Sequence, residues 1–243
     1  WYAPNNAILV VAGDIDAAEL RPLAQRTYGR LQPTRNLPER AWVADPPARG
    51  PMRVTHRDEK VRQPSLSRLY PAISYTIGEG RQAHALDVAM DILGGSETSR
   101  LYRALVEGRR LAISAGAGAD TAGRGGGSVS VYATPADGVA LADLEAAVDE
   151  VIADYLRDGP NESELARSKS RLSAAAVYAR DSQESLANIY GSSLAEGETI
   201  DAIVGWPDAI EAVTREEAMA MARQTLDINA SVTGWLLPAE DAE

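Results

Sequence analysis

The sequence predicts an α+β fold, an antiparallel sheet backed by helices, and three observations carry that expectation. Short runs between residues 52 and 134 alternate apolar with polar side chains, the period-two pattern of half-buried strands. From Val139 onward the period lengthens to three and four residues, as amphipathic helices require. A last β-rich run, NASVTGWLLP at 229–238, closes the chain after those helices.

Residues 7–13, AILVVAG, are a continuous apolar run ending in Gly-Asp, which predicts a strand buried on both faces. Asp16 opens a helical pattern reaching about Leu31, with Leu20, Leu23, Ala24 and Leu31 on one side. Pro22 conflicts with a smooth helix there. Residues 32–51 hold five of the 13 prolines and little periodicity, so they read as a linker and the best domain boundary.

Strands are expected at 52–59, where Met52, Val54 and His56 alternate with Arg53, Thr55 and Arg57, and at 66–77. Leu86, Ala89, Met90 and Leu93 mark a helix over 81–93, ended by the Gly94-Gly95 pair. Ser96 or Thr98 can cap a short helix beginning near Ser99. The small-residue run 111–119 and the alternating GGSVSVYAT at 126–134 read as a hairpin.

Leu141, Leu144, Val148, Val151, Ile152 and Tyr155 form the stripe of a long amphipathic helix. Asn161 with Glu164, and Thr214 with Glu217, are capping-box signatures opening helices to about Ala179 and Leu226. Between them lie helices at roughly 183–195 and 199–212, the second expected to break at Trp206-Pro207. The runs NNAILVVAGD (5–14) and NASVTGWLLP (229–238) share a look, a weak trace of an internal repeat.

Composition narrows the function classes. The 243 residues contain no Cys, which excludes disulfides and thiolate metal sites. A net charge of -11 argues against nucleic acid and anionic membrane as partners. No apolar run approaches the roughly 18 residues a bilayer span needs. The opening WYAPNN has neither the basic region nor the cleavage pattern of a signal peptide, and no initiator Met. The chain therefore reads as a soluble piece of a longer protein.

The residues alone show no active site. The two histidines, His56 and His84, have no Glu or second His at the spacing a helical metal site needs. Neither is a metal ligand on this reading. GRGGGS (123–128) lacks the Lys of a phosphate loop and sits between strands, so it reads as a hairpin turn. No G-x-S-x-G elbow is present, and the acidic residues are spread over helix faces and caps.

Three segments in order along the chain, WYAPNNAILVVAGDID (1–16), ILGGSETSRLYRALVEGRRLAISAGA (92–117) and AVTREEAMAMARQTL…SVTGWLLP (212–238), resemble the insulinase/pitrilysin family of zinc peptidases. DGPNESELARSKSRL (158–172) matches the usual helix start between the second and third. The likeness lies with the short-chain branch that includes mitochondrial processing peptidase. It implies two homologous α+β domains. Residues 1–31 would be the last strand and helix of the first, 32–51 the linker, and 52–243 the whole second domain.

The resemblance places the family's zinc site, an inverted H-x-x-E-H helix and a later Glu, upstream of residue 1, so no metal is expected here although zinc is expected in the full-length protein. The family's second domain usually contributes an Arg and a Tyr, seven residues apart, which hold substrate and the tetrahedral intermediate. Aligning LVEGRRLAI (105–113) puts Val106 at the Arg position and Ile113 at the Tyr position, and neither can donate a hydrogen bond. Arg109, Leu111 and Ala112 keep the family spacing, and Arg100 reads as structural.

Two readings follow from this. In one, the full-length protein is the zinc-bearing subunit of a two-chain peptidase, bacterial and cytoplasmic or periplasmic, whose homologous partner supplies Arg and Tyr. In the other it is a non-catalytic structural or substrate-holding subunit. A third, generic reading is a peptide-binding α+β module. The expected partners are a peptide substrate, the missing N-terminal domain, and a partner subunit in a heterodimer or homodimer.

Overall fold

The structure, a computed structural model, describes residues 1–41, 46 and 50–239. Its centre is a five-stranded sheet of β1 (Met52–Asp58), β2 (Ser65–Ala72), β3 (Ala112–Asp120), β4 (Gly127–Pro135) and β5 (Val232–Pro238). The spatial order is β1-β5-β2-β4-β3. All neighbours are antiparallel except β1 and β5, which run parallel. The α+β expectation holds, with that one parallel pair as the departure from an antiparallel sheet. It arises because the last strand inserts beside the first.

The helices are α1 (Ala17–Arg26), α2 (Gly80–Gly94), α3 (Arg100–Tyr102) running into a π-helical turn (Arg103–Gly108), α4 (Leu141–Asp158), α5 (Glu162–Ala179), α6 (Gln183–Glu196), α7 (Ile200–Glu211) and α8 (Arg215–Thr225). The capping boxes expected at Asn161 and Thr214 are both formed. They place α5 and α8 where the sequence puts them.

Ladder register fixes which side chains share a face. Thr55, Trp235, Leu66, Ala133 and Ala115 line up across the strands, as do Arg53, Thr233, Arg68, Val131 and Ala117. These rows point at the helices. Leu66, Val131 and Ala133 are fully buried there against Leu86, Leu144 and Val148. Each such Leu or Val contributes about 1.5–3 kcal/mol on leaving water.

α2 is the central helix. From Ala83 to Gly94 nearly every residue is buried, so it has no solvent face for most of its length. The reason for Gly94 is packing. A Cβ there would overlap the backbone of Ala117 on β3. The cap residue Gly95 has φ −77°, so the glycine pair ends the helix by close approach and not by a left-handed turn.

Several sequence expectations change. The apolar run 7–13 forms no strand and pairs with none among the described residues, and Ile8, Leu9 and Val11 stay exposed. A strand exists only with a ladder partner, whatever its side chains favour. The helix expected from Asp16 to Leu31 stops at Arg26, with Pro22 inside it, and a short 3-10 turn follows at Tyr28–Arg30. The strand expected over 66–77 ends at Ala72, and residues 74–77 form a turn closed by a Ser74–Ile77 bridge. α7 continues through Pro207, where only one backbone hydrogen bond is forfeited. The linker 32–51 is irregular where described; its residues 42–45 and 47–49 lie outside the described residues.

Candidate functional site

The side of the sheet turned away from the helices is the largest uncovered surface of the strands. One row across it reads Met52, Val232, Leu69, Ser130 and Gly118. The next reads Val54, Gly234, Ser67, Tyr132 and Gly116. Met52, Val54, Leu69, Tyr132 and Leu236 are all exposed. Acidic residues enter this face only at its corners, Asp58 and Asp120. Apart from His56, the face is one of apolar, hydroxyl and glycine positions, the kind of exposed surface that marks an interaction site.

The two positions singled out from sequence lie on the turn before β3 and near that strand's start. Val106 is half-buried on the π-helical turn, packed against the core. Arg109 N–H reaches Ala104 O at 2.9 Å, the wider backbone bond that defines this turn. Ile113 is 54 % exposed and falls where the β3–β4 register shifts between Ala112 and Ser114. Neither side chain can donate to or accept from a substrate.

The arginines nearby are occupied elsewhere. Arg100 makes a bidentate pair with Glu164 at 2.9 and 2.8 Å, donates to Gly159 O at 2.6 Å and stacks on Tyr155. It ties α3 to the α4–α5 junction, the structural role expected of it. Arg109 pairs with Glu150 of α4 at 2.5 Å.

Beneath β1, β5 and β2 sits a charge network that sequence spacing gave no sign of. Arg53 donates two 2.7 Å hydrogen bonds to Glu145, Arg68 a third at 2.7 Å, and Trp235 Nε1–H a fourth at 2.9 Å. Arg68 is 2 % exposed and also holds Asp149 and, at 2.8 Å, Thr233. Burial alone raises the Glu145 carboxyl, but the Arg53 and Arg68 guanidinia outweigh it and hold the group below the usual carboxylate range. This is scaffold chemistry: the network locks the sheet to α4.

A second buried cluster joins four elements. Asp87 of α2 accepts from the Tyr75 hydroxyl and, at 3.0 Å, from Thr121; Trp206 Nε1–H donates to the Tyr75 oxygen at 2.7 Å. The His84 ring meets Tyr75 edge-on at 4.9 Å. Burial pushes Asp87 up to about 6, although both hydrogen bonds pull it down. His84 Nδ1–H donates to Gly80 O at 2.7 Å, and burial lowers its pKa further below neutrality.

Zinc does not fit the residues present. Among the described residues no group of three or more His, Asp or Glu could hold a metal ion. His84 is committed to Gly80, and His56 stands on the exposed edge strand with only Asp58 near it, at 4.0 Å. No helix of the described residues is long and apolar enough to cross a membrane.

Comparisons with known proteins agree with this picture. A family model described as the peptidase M16 inactive domain matches residues 1–172. An uncharacterized zinc protease of Mycobacterium leprae is 26 % identical over 228 residues, covering 93 % of this chain and 50 % of that protein. A protease from Helicobacter pylori of known structure superposes with TM-score 0.82 at 17 % identity, over 93 % of this chain and 54 % of the other. The peptidase M16 inactive domain from Pseudomonas fluorescens gives 0.76 at 18 %, over 95 % and 53 %. The chain thus spans about half the length of the M. leprae relative.

Proposed function

The chain belongs to the peptidase M16 inactive-domain family, and from that premise we propose that it is the half of a zinc metalloendopeptidase that carries no metal. The uncovered sheet face forms one wall of the chamber that holds the peptide. The zinc helix lies in the preceding domain, of which residues 1–31 are the last strand and helix. The Arg and Tyr that stabilise the tetrahedral intermediate come from a homologous partner subunit.

The observation that carries this reading is the sheet face itself. It presents exposed Met52, Val54, Leu69, Tyr132 and Leu236 among serines and glycines, with His56 and Asp58 at the edge of β1 and no metal-ligand set among the described residues. Such a surface can shield a peptide from water and shape its path. The exposed apolar run 7–12 supports the domain division, since its side chains suit a strand in a sheet that needs further strands.

The test takes the full-length protein. It should contain an intact H-x-x-E-H upstream of Trp1, bind zinc, and hydrolyse an unfolded peptide once its partner is added. By calorimetry, the 243-residue chain alone should bind a long unstructured peptide weakly or not at all. Strong binding by the chain alone would instead favour a stand-alone peptide-binding module. Loss of the zinc motif would favour a non-catalytic, substrate-holding subunit, a reading that the side chains at Val106 and Ile113 also suit.

A further inference from the structure

On the helical side, α5, α6 and α7 together with the end of β3 line a groove of about 820 Å³. Its walls are Leu172, Leu186, Ile189, Ile203, Val204 and Trp206. That volume falls within the range of small-molecule sites, about 300–1,000 Å³. Its rim and floor are acidic. Asp120, Glu196 and Glu198 line it, and Asp87 lies behind Tyr75 and Trp206, two residues of its lining.

These carboxylates stand together with hydrogen-bond donors but without a paired cation. Asp87 is raised by burial and further by Glu198 and Asp120, and Glu198 by burial and Glu196. Among the described residues none of the four has an ion-pair partner. Arg180 lines the groove as well, while Arg124 is turned to Ala195 O at 2.9 Å. The balance around the opening is therefore negative. A cation placed there relieves mutual repulsion that the protein leaves standing.

We propose that the groove between α5, α6 and α7 binds a small amphiphilic amine, its apolar body against Leu172, Ile189 and Trp206 and its ammonium among Asp120, Glu196 and Glu198. A ligand without charge satisfies the walls and leaves the carboxylates as they are. An anion adds to the repulsion. The site meets the sheet face only at the Asp120 corner and includes neither Val106 nor Ile113.

Three matched probes test this: 4-phenylbutylamine, 4-phenylbutan-1-ol and 4-phenylbutyrate, titrated into the ¹⁵N-labelled chain while backbone amide shifts are followed. The amine should move amides of α5, α6 and α7 and bind at least about tenfold tighter than the alcohol, as a charge-assisted hydrogen bond implies. The carboxylate should not bind. Glu196→Gln with Glu198→Gln should bring the amine down to the alcohol, and Ala176→Trp, which fills the groove, should abolish both. Equal binding of amine and alcohol overturns the proposal, as does amine binding that survives the groove-filling change or a folded chain that binds none of the three. Should Ala176→Trp fail to fold, the double Gln variant decides alone.

Discussion

Glu145 of α4 accepts a 2.7 Å hydrogen bond from Arg68 of β2, and both side chains are nearly sealed from water. Arg68 keeps Asp149 and Thr233 as well, so the guanidinium is satisfied on all sides. Removing the carboxylate leaves Arg68 with Asp149 as its one counter-charge and Arg53 and Trp235 without their acceptor. Glu145→Ala should therefore destabilise the chain by about 1–3 kcal/mol, the cost of leaving buried donors unsatisfied. Glu145→Ala combined with Arg68→Met should recover part of that loss. Urea unfolding of the three variants checks it, and a double variant no better than the single would refute the pairing.

Two glycines on or against β3 should respond in opposite ways. Gly94→Ala pushes a Cβ into the Ala117 backbone and should cost about 1–3 kcal/mol. Gly118→Ala meets nothing within 4 Å on the open face and should stay within about 0.5 kcal/mol of the parent. Thermal unfolding midpoints of the pair measure this directly.

Asp87 gives a pH signature. Its folded pKa of about 6 lies above the ordinary value near 3.8, so the folded form holds the proton more tightly. That contribution is complete below about pH 4 and is lost as pH rises through 6. Asp87→Asn should therefore gain on the parent by about 1–2 kcal/mol between pH 4 and pH 7. Denaturation curves that keep a constant offset across that range would contradict it.

Restoring the family side chains should change nothing catalytic. Val106→Arg with Ile113→Tyr supplies two donors but no metal site among the described residues. A fluorogenic peptide assay with added zinc should show no turnover by that variant of the chain. Measurable hydrolysis would mean that a metal site exists where none is read.

The sequence carried most of the helical layer and the hairpin, because caps and periodicity are local. Asn161 with Glu164 and Thr214 with Glu217 declare their helices within four residues. What it hid was long-range. Nothing in the spacing of Arg53, Arg68, Glu145 and Trp235 shows that they meet, nor that Tyr75, Asp87, Thr121 and Trp206 share one buried cluster. Pairing was hidden too, since the apolar alternation of β1 and β5 is the same whether the strands run parallel or antiparallel. The run 7–13 misled for the converse reason: its composition says strand, but its partners are not among the described residues.

The parallel pair of β1 and β5 also sets an order of events. β5 lies between β1 and β2, so a ribosome must release almost the entire domain before the sheet can be completed. Until then β1 has no neighbour and β2 offers an open edge, both of them sites for mispairing between nascent chains. A chain shortened before Val232 would be left permanently in that condition, with all seven β1 residues, Met52–Asp58, facing β5 positions that no longer exist. The last strand is thus the one whose arrival decides between folding and aggregation.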